Sequence, residues 1–194
     1  VLLSELVLLF SALAGASHES MIHGPGWRFL DLGRRVERLH HTARVLAAVL
    51  APGTRPDGPT LEALLEAAES IITYRNRYVG ALALAPVLDL LVTDESNPRS
   101  LAYQLVKLDE HVKSLPRATR DPLRPEEVRL VLGALSRVQL LDVHALAPET
   151  AIDAPASLAG VLGDLARTAL TLADALTRAY LTHAEPSQSV DGLS

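Results

Sequence analysis

The sequence predicts an all-α fold, a bundle of about six to seven mainly antiparallel helices. Three observations carry this. Apolar residues make up 48% of the chain, yet aromatics only 4%, so the apolar content is chiefly Leu, Ala and Val. That mixture favours helix on helix over a sheet sandwich. Apolar residues recur at spacings of three and four over long runs, and no run has the alternating, β-branched pattern of a strand.

The first helix is expected from Leu2 to about Gly15, and the second from Pro25, a residue suited to a first helical turn, to about Leu50. "APGTRPDGPT" breaks the chain as a Pro/Gly loop. Thr60 is expected to cap a third, continuous helix ending near Pro86, with a stripe of Leu61, Leu65, Ala68, Ile72, Val79 and Leu82. After the short apolar "VLDLLV", Asn97 is placed to cap a helix from Pro98 to Leu115 carrying Leu101, Leu105, Leu108, Val112 and Leu115. "PRATRDPLRPEE" is a polar loop, and Pro125 opens a helix to about His144. A last long helix carries Leu158, Leu162, Leu165, Ala169, Leu172 and Leu176. Residues 1–185 read as one helical domain and 186–194 as a disordered tail.

Composition excludes several classes. A net charge of −5 argues against a general nucleic-acid binder. The absence of cysteine removes disulfides, a thiol nucleophile and thiolate metal sites, and suits a cytoplasmic protein. The opening "VLLSELVLLFSALAGAS" mimics a signal peptide, but it lacks a basic start and an initiator Met, and Glu5 interrupts it. It is also too short to span a bilayer, so no membrane association is expected. It reads as the tail of a core helix in a chain cut from something longer.

The second helix raises the functional question. Phe29, Leu32, Val36, Leu39, Ala43, Leu46 and Leu50 form its core stripe. At about 100° per residue, Arg34, Glu37, Arg38 and His41 fall on the other side. Trp27 and Leu30 flank these charges at one end, Val45 and Ala48 at the other. A Trp is rarely left in water, so this face is expected to be covered too, and covered charges must be paired. Arg75 interrupts the third helix's stripe beside Tyr74 and Tyr78. Arg99 falls in a first helical turn, where the macrodipole disfavours a cation, so a carboxylate or an anion is expected beside it, with Asp94, Glu95 and Glu37 as candidates. Three readings stay open: a structural network of Arg–carboxylate pairs, a polar site for an anionic or peptide-like ligand, or plain solvated faces.

Three ordered segments, "ESMIHGPGWRFLDLGRRVER", "SIITYRNRYVG" and "LDLLVTDESNPRSLAYQL", together resemble the alpha-E domain, an all-helical family named for its Glu–Arg motif. Members of that family look like two related halves, each with an LGR…ER helix, and this chain resembles the second half. The resemblance implies association with circularly permuted ATP-grasp ligases and transglutaminase-like proteins, and its spelling is that of the version fused to an ATP-grasp region. It implies an accessory role in a peptide ligation or modification system. The partners would be the ligase and a peptide or acidic small molecule, with ATP and Mg held by the ligase and no cofactor in this chain. The motif's positions here are Trp27, Gly33, Arg34, Glu37, Arg38, Tyr74, Arg75, Tyr78, Asp94, Asn97, Pro98, Arg99 and Ser100. Where the family pattern has Arg after "ESM-x", this chain has His23, which would make an anion contact there pH-dependent.

Other constellations are weaker. Glu37 and His41, four apart, are too few for a metal site. No nucleophile elbow and no Gly-rich phosphate loop exists. Glu37 is the candidate acid/base if the domain is an enzyme, although flanking arginines favour an orienting role. A purely structural or dimerising helical module is the further alternative.

Overall fold

A computed structural model describes residues 2–51, 54–116, 124–146 and 154–182. Every regular element among these residues is a helix, with no strand among them. The elements are α1 (Leu2–Ser20), α2 (Pro25–Val49), α3 (Gly58–Ala67), α4 (Ile71–Arg77) and α5 (Leu84–Leu88), which runs into a π-helical turn (Asp89–Thr93). Then come α6 (Leu101–Lys113), α7 (Glu126–Gln139), α8 (Val143–Leu146) and α9 (Ala154–Tyr180). The tail from Pro186 lies outside the described residues.

Helices α2, α6, α7 and α9 close a ring: α2 packs on α9 and α6, and α7 joins α6 to α9. Side-chain contacts fix their directions. Between α2 and α9, Phe29 meets Tyr180 and His40 meets the Ala166 carbonyl, so residue numbers run oppositely. Between α2 and α6, Arg28, Asp31 and Arg35 reach Ser114, His111 and Gln104 in descending order. Between α7 and α9, Glu126 meets Arg178 and Arg137 meets Asp164. Neighbours around the ring are therefore antiparallel. The expected stripes point inward: from Leu32 to Leu50 on α2, Leu101 to Leu115 along α6, and Leu158 to Leu176 on α9 are all buried, apart from half-buried Phe29 at the start of the α2 stripe. Each buried Leu contributes roughly 1.5–3 kcal/mol.

The third helix is not continuous. α3 ends at Ala67, and Glu69 takes a left-handed φ of 49°. The Ser70 amide donates to the Leu65 carbonyl and the Glu69 amide to the Glu66 carbonyl, the paired bonds of a Schellman stop. The phase restarts in α4, so Ile72 and Val79 of the expected stripe stand exposed. Caps differ as well. Asp57, not Thr60, caps α3 by accepting from the Thr60 amide at 2.9 Å. Ser100, not Asn97, caps α6, because its hydroxyl is the one that reaches the Tyr103 amide. The helix opened at Pro125 stops at Gln139 before the short α8, rather than continuing to His144.

Candidate functional site

α2 offers two polar faces beside its core stripe, and they have different fates. The first points at α6. Asp31 Oδ2 accepts from Arg35 Nε at 3.0 Å and lies 2.8 Å from His111 Nε2. An ionised carboxylate only accepts, so His111 carries a proton on Nε2. Arg35 Nη1 also donates to Gln104 Oε1 at 3.3 Å and its guanidinium lies 5.3 Å from the Tyr103 ring centre. Gln104 Nε2 donates to the Pro98 carbonyl at 2.6 Å. Asp31, Gln104 and His111 are buried, and Trp27 sets its ring edge-on to His111 while stacking on His23 at 4.0 Å. Burial raises the Asp31 pKa, but the hydrogen bonds from His111 and Arg35 and their charges outweigh it and hold it below its ordinary value. This network clamps α2 to α6.

The second face carries Arg34, Glu37, Arg38 and His41. The expectation that this face is covered is not met: Glu37, Arg38 and His41 are exposed and Arg34 is half-buried. The reason is the break after α3. The α3–α4 corner stands opposite α2 without closing on it, which leaves a cavity of about 280 Å³. Glu37, Arg38, His41 and Thr42 of α2 form one wall; Ala67, Ala68, Arg99 and Gln104 form the other. Among the described residues, neither Glu37 nor Arg38 has an ion-pair or hydrogen-bond partner. Partial burial first, then the nearby charges of Arg99, Arg35 and Arg34, lower the Arg38 pKa from its ordinary value, and Asp31 offsets only part of this. The site is thus a cationic pocket with one carboxylate. Arg99 pairs across the corner with Glu69, a partner not foreseen, so its positive charge is shared with an exposed carboxylate.

The remaining sequence candidates lie elsewhere. Arg75 points outward and pairs with Glu62 at 2.7 Å. Tyr74 is buried, its hydroxyl accepting from the Ala83 amide at 3.2 Å. The Tyr78 hydroxyl donates to Asp89 Oδ2 at 2.6 Å; burial first, then this bond and the Asp89 charge, push its pKa up to about 12. Asp94 receives Arg77 at 2.5 Å and the Ser96 amide at 2.8 Å. Buried Asn97 donates to the Leu90 carbonyl at 2.9 Å and to Ser70 Oγ at 3.3 Å. The Ser100 hydroxyl donates to the Asp94 carbonyl at 2.5 Å. These groups fix the loop that delivers Arg99 to the pocket. Sequence reasoning missed Asp31, Arg35, Gln104 and His111; the Asp31–Arg35 spacing of four was the available signal. Among the described residues no group of three His, Cys, Asp or Glu could hold a metal, and no helix is long and apolar enough to cross a membrane.

Comparison with known proteins agrees with this architecture. Uncharacterized proteins of Mycobacterium bovis and Mycobacterium tuberculosis are each 36% identical to the chain over 171 residues. The match covers 87% of the chain and 19% of each relative, so the chain spans about a fifth of their length. No solved structure matches. The family model that matches residues 2–181 is Alpha-E, described as a predicted alpha-helical domain with a conserved ER motif. The sole Glu-Arg dipeptide of this sequence is Glu37-Arg38, on the pocket wall. With the family model covering most of its length, the chain belongs to the Alpha-E family.

Proposed function

We propose that the Glu37–Arg38 pocket binds a carboxylate-bearing ligand, a peptide or an acidic small molecule. In this reading the domain serves as the accessory, substrate-holding part of a cytoplasmic peptide ligation or modification system. Its partner is an ATP-grasp ligase, or a transglutaminase-like protein, and ATP and Mg belong to the ligase. The observation that carries the reading is Arg38: a cation beside Arg99 on a cavity wall, with no carboxylate partner among the described residues. Guanidinium forks match carboxylates, and one with no carboxylate partner is open to an incoming anion. The acid/base alternative for Glu37 is less well supported, because an exposed carboxylate lacks the burial that tunes such a group.

Isothermal titration of a short acidic peptide into the wild-type chain and into Arg38→Gln tests this. Losing a charge-assisted contact of about 1.5–3 kcal/mol weakens binding roughly 10- to 100-fold. Equal affinity in the two proteins, or none in either, would overturn the reading.

A further inference from the structure

The charged cavity does not end at its charges. A second cavity of about 50 Å³ adjoins it, sharing His41, Thr42, Ala67 and Ala68 as walls. Its remaining walls are apolar: Val45, Leu46, Leu64 and Leu91. One cleft therefore runs along α2, from Arg38 to Val45, about 10 Å of helical rise. It is charged at one end and apolar at the other.

The charged end holds both signs. A simple dianion drawn to Arg38 and Arg99 would also face the Glu37 carboxylate, which has no partner of its own among the described residues. Gln104 adds little, since both ends of its amide are already engaged by Arg35 and Pro98. A ligand with an ammonium beside its carboxylate complements Glu37 and Arg38, with Arg99 sharing its charge between the ligand and Glu69. The annex sets the rest of the molecule. An apolar cavity of roughly 150 Å³ is what accepts a benzene ring. An annex of about 50 Å³ suits a small branched aliphatic group better than an aromatic one.

We infer that the cleft binds a free α-amino acid with a small aliphatic side chain. Its carboxylate meets Arg38 and Arg99, its ammonium meets Glu37, and its side chain passes Thr42 into the annex. The inference rests on the carboxylate-binding reading of the same pocket and narrows it.

The test is an NMR titration of the chain with L-valine, N-acetyl-L-valine, L-valinamide, L-phenylalanine and L-aspartate at millimolar concentrations. L-valine is expected to bind at least about 10-fold more tightly than each of the others, the factor one charge-assisted contact supplies. N-acetyl-L-valine binding as well as L-valine would overturn the zwitterion inference and leave carboxylate recognition standing. Binding of L-aspartate or L-phenylalanine as tight as that of L-valine would overturn the aliphatic side-chain assignment and leave recognition of the amino-acid head group standing. L-valinamide binding as well as L-valine, or no saturable shift with any compound, would overturn both. Two variants separate the ends of the cleft. Glu37→Gln is expected to weaken L-valine about 10-fold and leave N-acetyl-L-valine unchanged. Val45→Phe, at a half-buried position that lines the annex and not the charged chamber, is expected to weaken L-valine and spare glycine. Equal loss for valine and glycine in Val45→Phe would overturn the annex assignment.

Discussion

Asp31 and Glu37 are carboxylates of one helix with opposite surroundings. Asp31 is buried between Arg35 and His111, with side-chain exposures of 11% and 16% for Asp31 and Arg35. Asp31→Asn strips the negative charge from a covered pair and leaves Arg35 uncompensated, so it is expected to cost about 3 kcal/mol in urea unfolding at neutral pH. The pH dependence follows from the sign of the shift. The folded pKa of Asp31 lies below its ordinary 3.8, so its contribution is full above that value and is lost as pH falls through the depressed one. The gap between wild type and Asp31→Asn is therefore expected to narrow only below about pH 4; a gap unchanged down to full acid unfolding contradicts the assignment. Glu37→Ala removes an exposed group without a partner, and its unfolding free energy is expected to stay within about 0.5 kcal/mol of wild type. A large loss there would mean that Glu37 is a structural clamp and not a ligand group. The Glu37–Arg38 face stood out in the sequence because its charges sit among apolar residues, yet that pattern pointed to a covered face and the structure leaves it open. The Asp31 clamp did not stand out, because its other half, Gln104 and His111, comes from a helix 69 to 80 residues away, and an isolated Asp–Arg spacing of four reads equally well as a surface pair.

At the scale of elements, the pocket exists because α3 and α4 are two helices. A continuous stripe from Leu61 to Leu82 was the simplest reading of the periodicity. Nothing in "EAAESII" marks a stop, since the left-handed position that ends α3 is filled by Glu69 and not by glycine. Such a conformation costs a side-chain-bearing residue about 1 kcal/mol relative to glycine. The long helices were legible throughout, their heptad-like stripes landing in the core, because period and burial agree over several turns. The Pro/Gly loop after α2 was legible as well, but the break after α3 was not, because its turn runs through Glu69, a side-chain-bearing residue in the left-handed conformation. The prediction at this scale compares two substitutions. Glu69→Ala keeps the strain and loses the exposed pair with Arg99; Glu69→Gly loses the same pair and relieves the strain. In thermal unfolding Glu69→Gly is expected to be the more stable by about 1 kcal/mol. The reverse order would show that the corner is not held in the left-handed form, and the pocket wall would have to be redrawn.

For the whole molecule, the ring of α2, α6, α7 and α9 buries its own stripes, and α1 is left outside that economy of burial. Leu3, Val7, Leu8, Leu9 and Phe10 are each at least 65% exposed, on a helix with apolar residues all round. The sequence foresaw an apolar helix there and assigned it to a core; among the described residues none covers those side chains. Helices of that composition are stable in water only when something packs on them, and exposed apolar surface on this scale drives association. The isolated chain is therefore expected to self-associate with rising concentration in sedimentation velocity. A variant lacking residues 2–20 is expected to sediment as a monomer. Because the α2–α6 clamp and the ring do not draw on α1, that variant should also keep its fold, with an unfolding free energy within about 0.5 kcal/mol of the intact chain. Trp27, the sole tryptophan, sits against His111 at the clamp, so its fluorescence reports on the ring independently of α1. Loss of that signal on truncation would place α1 inside the cooperative core. Retention of the signal with unchanged self-association would move the sticky surface elsewhere, to exposed groups such as Leu140 or Ile72.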